Sequence, residues 1–206
     1  MATFDLRDRS PRDAYQLVTR LVVPRPIALV SSLSAAGTGN LAPFSYFMMG
    51  GSNPPSCIIC PVHDRHGEPK DTLRNLRERG EYVINLCTRA MAEAVSQCSY
   101  PYDRSVDEFE PSGLTRTESQ VVAPPRVAES PIALECVRHQ IVGHGDGPLA
   151  SNYVIGEILY AHVADELLVD GLPDNRKMDL IGRLGADFYA HLTAGTLFEL
   201  GRPSRG

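Results

Sequence analysis

The segment Lys70-Asp71-Thr72-Leu73-Arg74-Asn75 places an ammonium, a hydroxyl and an amide at the predicted start of a helix. The first turn of a helix leaves backbone N–H groups without partners, and the helix dipole adds positive potential. Such a position attracts anions, phosphate groups above all, and Lys70 and Thr72 would strengthen it. The alternative interpretation is that Asp71 caps the helix and Lys70 is a solvated surface residue.

A second segment, Asn40-Leu41-Ala42-Pro43-Phe44-Ser45, follows a turn that contains glycine. It presents an amide, a rigid proline, an aromatic ring and a hydroxyl, which together could line a flat heteroaromatic ligand. Backbone N–H groups can hydrogen-bond the polar edge of an isoalloxazine and stabilise negative charge on its reduced form. The competing interpretation is an ordinary strand with a proline bend, and composition alone favours it.

A possible metal site is suggested by Cys57, Cys60, His63 and His66, whose spacing is similar to a compressed zinc pattern. However, residues 56–62 are predicted to form a buried strand, on which residues three apart point to opposite faces. We therefore expect no metal, two buried thiols and two solvated loop histidines. The chain has five cysteines, an odd number placed mostly in apolar runs, so a disulfide framework is not expected either.

Other common catalytic motifs are missing from the sequence. It has no G-x-S-x-G elbow, no P-loop, and no G-x-G-x-x-G after a strand, so a nucleotide would not bind in a Rossmann or P-loop site. The acids Asp103, Asp107, Glu108 and Glu110 are interpreted as a solvated loop. No residue is assigned a catalytic role.

The elements that would position these segments are mainly strands. Ser10-Pro11-Arg12-Asp13 predicts the start of a short amphipathic helix. Runs rich in β-branched and aliphatic residues then predict strands, and the first two are expected to form a hairpin. The strand runs are 27–33, 41–48, 56–62, 82–87, 132–142 and 153–163.

Further helices are predicted between and after these strands. One covers Asp71 to Arg79 and ends at Gly80, a second begins near Thr88, and a last one runs from Met178 to Leu192. Residues 99–130 are rich in proline and polar residues, which predicts an ordered excursion or lid outside the core. Because strands and helices do not alternate regularly, we expect a closed antiparallel barrel.

Composition limits the class of protein. The 206 residues, 43% of them hydrophobic, suit one domain, and a formal charge of −5 without basic blocks argues against nucleic-acid binding. No apolar stretch reaches the roughly 20 residues that span a bilayer, and the charged N-terminus is unlike a signal peptide. We expect a cytoplasmic protein with no membrane partner.

Taken together, the segments resemble the flavin reductase-like family of FMN-binding split barrels. Their order and spacing from residue 25 to residue 189 carry the resemblance. The matching segments are Arg25-Pro26-Ile27-Ala28-Leu29-Val30-Ser31-Ser32, Asn40-Leu41-Ala42-Pro43-Phe44-Ser45, Asn53-Pro54-Pro55, Lys70-Asp71-Thr72 with Asn75, Tyr82-Val83-Ile84-Asn85-Leu86, Asp107-Glu108-Phe109 with Gly113-Leu114, Glu129-Ser130-Pro131 with Glu135-Cys136, Gly156-Glu157-Ile158, and Arg183-Leu184-Gly185 before Tyr189. The chain departs from the family at Ala186, where a glycine is common.

The resemblance implies a mainly β fold, an antiparallel Greek-key split β-barrel in which residues 1–206 form a single domain. It also implies a homodimer with FMN bound non-covalently near the subunit interface; the single phosphate site favours FMN over FAD. The residues that would border the ring and ribityl chain are Ser31, Ser32, Asn40, Ala42, Pro43, Phe44 and Ser45. Those that would hold the phosphate end are Lys70, Thr72, Asn75 and Arg183.

The resemblance further implies that hydride passes from a nicotinamide to the flavin while the protein positions the two rings. We expect an NAD(P)H-dependent flavin reductase that supplies reduced flavin to a separate monooxygenase. The alternative is an FMN electron carrier that receives electrons from another protein, since the same residues would bind FMN in both. A third hypothesis is an FMN-dependent oxidase or a haem-handling relative.

Overall fold

The computed structural model describes residues 1–203. The α-helices are α1 (Pro11–Leu21), α2 (Asp71–Glu78), α3 (Ala92–Gln97) and α4 (Phe109–Ser112). The strands are β1 (Arg25–Pro26), β2 (Ala28–Leu33), β3 (Gly39–Phe44), β4 (Phe47–Ser52), β5 (Pro55–Ile59), β6 (Glu81–Leu86), β7 (Arg116–Thr117), β8 (Arg126–Val127), β9 (Ile132–His144), β10 (Ser151–Val163), β11 (Leu168–Val169), β12 (Leu172–Pro173), β13 (Leu180–Arg183) and β14 (Tyr189–Leu192). No helix in this part of the chain is long and apolar enough to cross a membrane.

The main sheet is antiparallel, with the strand order β3-β2-β6-β9-β10-β5-β4. Its two edge strands, β3 and β4, follow each other in the chain and are separated by Ser45 and Tyr46 alone. The start of β4 therefore lies beside the end of β3, which curls the sheet toward closure. A smaller sheet joins β1, β13 and β14. This architecture confirms the predicted mainly β, antiparallel split barrel.

Local sequence signals place α1 and α2 correctly. The Ser10 side chain accepts a hydrogen bond from the Asp13 N–H at 3.1 Å, and Pro11 is the first helical residue. At the end of α2 the chain reverses at Gly80, whose φ of 80° is accessible to glycine at little cost. The reversal leads directly into β6, which ties α2 to the main sheet. The start of the helix is thereby held at a fixed position against the barrel.

The helix predicted over 178–192 is wrong, because that segment forms the hairpin β13–β14. The spacing of its apolar residues is compatible with a helix, but β13 pairs with β1, with Arg25 opposite Arg183. A turn closed by the bond from the Leu184 N–H to the Phe188 carbonyl connects the two strands. Pairing with a strand more than 150 residues away overrides the local pattern.

The segment 99–130 is ordered, as predicted, but it also contributes to the core. Phe109, Leu114 and Val127 are buried in one cluster with Leu29 and Leu41. The Asn85 side chain of β6 fixes the backbone of this segment, because its Oδ1 accepts the Val127 N–H at 2.9 Å. The expectation of an excursion outside the core is therefore wrong for these residues.

The second core cluster lies inside the barrel around Tyr82, which is fully buried. The Tyr82 hydroxyl lies 3.5 Å from the Cys57 Sγ, which is 3.9 Å from the Cys136 Sγ. All five cysteines are buried free thiols. His63 departs from the expectation of a solvated loop residue: it is half-buried, and neither ring nitrogen has a partner among residues 1–203.

The contact between Tyr82 and Gly156 provides a test of this packing. A Cβ at Gly156 would overlap the Tyr82 hydroxyl and lie 2.8 Å from its Cζ. We expect Gly156→Ala to lower the free energy of unfolding by about 2 kcal/mol, measured by urea denaturation, because the fully buried Tyr82 ring would have to shift within a packed core. Gly143→Ala is the control, since its Cβ would meet no atom within 4 Å. Equal effects of the two substitutions would contradict a close contact between Gly156 and Tyr82.

Candidate functional site

A cleft of about 480 Å³ opens between β3, the start of α2 and the segment after α3. Its volume is in the range of small-molecule sites, about 300–1,000 Å³. The cleft brings together two segments that the sequence singled out separately, 40–45 and 70–75. The predicted site residues that line it are Asn40, Ala42, Pro43, Phe44, Lys70 and Thr72.

A buried polar network lies beneath the cleft and joins β2, β3 and α2. The Asn40 Nδ2 donates to the Thr72 Oγ1 at 2.9 Å and approaches the Ser32 Oγ at 3.2 Å. The Asn75 Nδ2 also donates to the Ser32 Oγ, at 3.1 Å, while the Asn75 Oδ1 has no partner within residues 1–203. Thr72 is only 1% exposed beneath the cleft, and its hydroxyl accepts from Asn40 but donates to no protein acceptor within residues 1–203.

The start of α2 has the character of an anion site. Lys70 occupies the N-cap position with extended backbone and makes no side-chain capping bond, so first-turn N–H groups lack a side-chain acceptor. The capping alternative considered for Asp71 is not what the structure shows, since Asp71 is the first helical residue. The Lys70 side chain is exposed at the cleft, where partial desolvation lowers the pKa of its ammonium group and Asp64 opposes that effect. An anion placed here would meet a cation, a hydroxyl donor and oriented N–H groups.

Ser31, Ser45 and Arg183 do not line this cleft. Ser31 is buried on the opposite face of β2 from Ser32, and its Oγ has no partner in the described range. The Ser45 Oγ accepts from the Arg25 Nε at 3.3 Å. Arg183 lies in β13, and its guanidinium stacks over the Tyr189 ring at 4.5 Å. The structure therefore does not bring these three residues together with Lys70 within one subunit.

The opposite wall of the cleft was missed by sequence reasoning. It consists of the segment after α3 and one acid of the loop before α4: Ser99, Tyr100, Pro101, Tyr102, Arg104 and Glu108. The signal available in the sequence was the pair of tyrosines that flank Pro101, because the charged residues alone do not distinguish a binding wall from a solvated loop.

Glu108 corrects the expectation of a solvated acid. It is only 9% exposed, and its Oε2 accepts the Leu41 N–H from the free edge of β3 at 2.9 Å. Burial raises the pKa of Glu108, the Leu41 N–H opposes the rise, and Asp107 and Asp71 add to it. The neighbouring Asp107 packs against Gly39 and forms an ion pair with Arg116. The two acids fasten the loop to the edge of β3.

This arrangement predicts opposite effects of two substitutions at Glu108. Glu108→Gln keeps an acceptor for the Leu41 N–H without a buried charge, so we expect equal or higher stability at pH 7. Glu108→Leu leaves that N–H unsatisfied and should cost about 1–3 kcal/mol in urea denaturation. Because the folded-state pKa is raised, the parent loses stability as pH rises through it, so the advantage of Glu108→Gln should shrink at acid pH. A Glu108→Leu protein as stable as Glu108→Gln would contradict the bond.

Comparison with known proteins identifies the class. The model of the flavin reductase like domain matches residues 19–178, which is most of the chain. The protein therefore belongs to the flavin reductase-like family, a family of flavin-binding proteins, and the resemblance found in the sequence is confirmed.

Solved structures agree with this assignment. Nitrilotriacetate monooxygenase component B from Bacillus cereus is 34% identical, with a TM-score of 0.90 over 97% of this chain and 98% of that one. The 2-nitrobenzoate 2-nitroreductase of Pseudomonas fluorescens is 31% identical, with a TM-score of 0.85 over 100% of both chains. A split-barrel protein from Shewanella frigidimarina, 24% identical over 100% of both chains, shares the fold with a TM-score of 0.80. The neighbours indicate an oxidoreductase.

Proposed function

We propose that the protein binds FMN in this cleft and acts as an NAD(P)H-dependent flavin reductase. One observation carries the proposal: residues 40–44 of β3 line the same ligand-sized cleft as Lys70 and Thr72. The residues fit the cofactor, since one anion position stands at the start of α2 and a flat wall of β3 extends from it. Bound FMN would supply the hydride-accepting chemistry.

The protein residues would bind and orient the two partners. Lys70, the Thr72 hydroxyl and the first-turn N–H groups of α2 would hold the phosphate. Asn40 would position Thr72 through their 2.9 Å hydrogen bond, and Ser32 and Asn75 would support Asn40 from below. Ala42, Pro43 and Phe44 would form the wall beside the ring.

Turnover of nicotinamide nucleotides tests the proposal. The purified protein with added FMN should oxidise NADH or NADPH in steady state, followed by absorbance at the nicotinamide band. An electron carrier would bind FMN and show little turnover without a partner reductase, and that result would contradict the reductase activity. The Bacillus cereus neighbour is a monooxygenase component, which supports a separate oxygenase as the recipient of reduced flavin.

We also propose a homodimer. The edge strand β4 exposes Met48 and Met49 at 56% and 68%, and the turn before β14 exposes Phe188 at 70%. Large apolar side chains on an unpaired edge favour association with another copy. Light scattering at micromolar concentration should give twice the chain mass. A monomer that holds FMN tightly would show that the interface is not needed for the site.

A further inference from the structure

The outer wall of the cleft carries an aromatic pair. Tyr100 and Tyr102 have ring centroids 4.8 Å apart with an interplanar angle of 56°. The Tyr102 hydroxyl is hydrogen-bonded to the Gln97 side chain of α3, and the Tyr102 N–H donates to the Tyr100 carbonyl at 2.9 Å. Tyr102 is thereby fixed, whereas Tyr100 remains 62% exposed at the mouth. The pair offers a preformed stacking surface.

Arg104 adds a cation to the same wall. Its Nε lies 3.7 Å from the Asp71 Oδ1 and its Nη2 lies 3.7 Å from the Glu78 Oε2. Both distances exceed hydrogen-bond length, and the side chain is 45% exposed. The guanidinium is therefore held near α2 by charge alone, while its N–H donors remain available to a ligand.

The other charged groups of the cleft are mostly committed. The Arg74 Nε donates to the Pro69 carbonyl at 2.8 Å, and its Nη2 pairs with Glu68 at 3.3 Å. The Asp64 Oδ1 accepts two backbone N–H groups, and Glu108 accepts the Leu41 N–H. Lys70 and Arg104 are the lining cations whose side chains make no hydrogen bond within residues 1–203, whereas Arg74 keeps only part of its donors for a ligand.

Arg104 belongs to the same wall as the tyrosine pair, and Lys70 precedes the first residue of α2. FMN has one phosphate, which the proposed function assigns to Lys70 and α2. We propose that Tyr100, Tyr102 and Arg104 form a second subsite that binds the adenosine diphosphate part of a nicotinamide dinucleotide. Arg104 binds the diphosphate, and the adenine stacks on Tyr100. This inference rests on the proposed function, because it supplies the second ligand of the same cleft.

The test uses the FMN-loaded protein and a truncated substrate. Reduced nicotinamide mononucleotide has the reacting ring but lacks the adenylate half, so it does not reach this subsite. Arg104→Ala should raise the KM for NADH or NADPH by about 10- to 100-fold and leave that for the mononucleotide within about twofold. Arg79→Ala is the matched control, since Arg79 is an exposed arginine next to α2 that does not line the cleft.

A binding measurement makes the test independent of activity. ADP alone, titrated calorimetrically into the FMN-loaded protein, should bind the parent and the Arg79→Ala protein equally and Arg104→Ala about 10- to 100-fold more weakly. FMN affinity should be the same in all three. If the parent bound ADP but oxidised no nicotinamide nucleotide, the reductase proposal would fail while the adenylate subsite stood.

Three results would overturn the inference. The first is that FMN-loaded parent protein does not bind ADP. The second is that Arg104→Ala weakens FMN, or raises the KM of the mononucleotide as much as that of NADH; Arg104 would then only fasten the wall to α2. The third is a loss of FAD affinity in the flavin-free Arg104→Ala protein with an unchanged KM for NADH, which would assign the wall to the adenylate of a flavin instead.

Discussion

Replacing Lys70 with alanine should weaken FMN binding by roughly one to two orders of magnitude, and Thr72→Ala should have an effect of similar size. In the proposed function each side chain would give a charge-assisted hydrogen bond to the phosphate, and such bonds contribute about 1.5–3 kcal/mol. The first-turn N–H groups of α2 would act on the same anion. Fluorescence titration of the flavin-free protein measures it.

Two controls separate phosphate binding from structural support. Riboflavin lacks the phosphate, so its affinity for each variant should stay close to that of the parent. Thr72→Ser keeps the hydroxyl, including the oxygen to which Asn40 donates, and should therefore retain most of the FMN affinity. If both alanine variants lost riboflavin as strongly as FMN, the start of α2 would support the fold and the phosphate assignment would be wrong.

Glu135→Gln should lower the free energy of unfolding by about 3 kcal/mol. The Glu135 carboxylate is fully buried and accepts the N–H groups of Gln120, Val121 and Val122 at 2.7, 2.7 and 3.2 Å. The His162 Nε2 lies 2.6 Å from Oε1, the same oxygen that accepts the Gln120 N–H. An amide offers one acceptor oxygen and directs an NH₂ group at one of these donors, which leaves buried N–H groups unsatisfied.

The same carboxylate predicts a dependence on pH. Burial pushes the pKa of Glu135 upward, but the backbone N–H groups and His162 outweigh it, so its pKa lies below the ordinary value. A lowered folded-state pKa gives stability that is present at neutral pH and is lost as pH falls through that pKa. The difference between parent and Glu135→Gln should therefore narrow in strongly acidic solution.

Glu81→Gln is the matched control for Glu135. Glu81 is a half-buried residue of β6, and within residues 1–203 it accepts a single loop N–H, that of Ala123 at 3.0 Å. Its substitution should change stability by less than about 1 kcal/mol. If thermal unfolding gave equal effects for the two variants, the buried carboxylate would not be fixing the loop to the barrel.

The parts of this structure that were predictable depend on local chemistry. The cap at Ser10, the start of α2 after Lys70 and the reversal at Gly80 use signals within a few residues, so they can be read without knowing the fold. The strand runs of the main sheet are also local, since β-branched and apolar residues mark them. The resemblance to a known family then implied the antiparallel split-barrel architecture.

The parts that were missed depend on distant partners. The hairpin β13–β14 forms because β1 pairs with it, and no residue between 178 and 192 indicates that partner. Glu108 is buried because the edge of β3 offers the Leu41 N–H, and Arg104 is drawn to Asp71 and Glu78 across the cleft. Charged residues in a polar loop give the same sequence pattern whether they are solvated or bound to another element.

Titration of the flavin-free protein with FMN and with FAD tests directly whether the cleft at the start of α2 is a flavin mononucleotide site. Calorimetry should show one FMN bound per subunit, with a dissociation constant near or below about 1 μM. FAD should bind more weakly. Absence of binding by either flavin, or binding of FAD as tight as that of FMN, would contradict the assignment of this cleft to FMN.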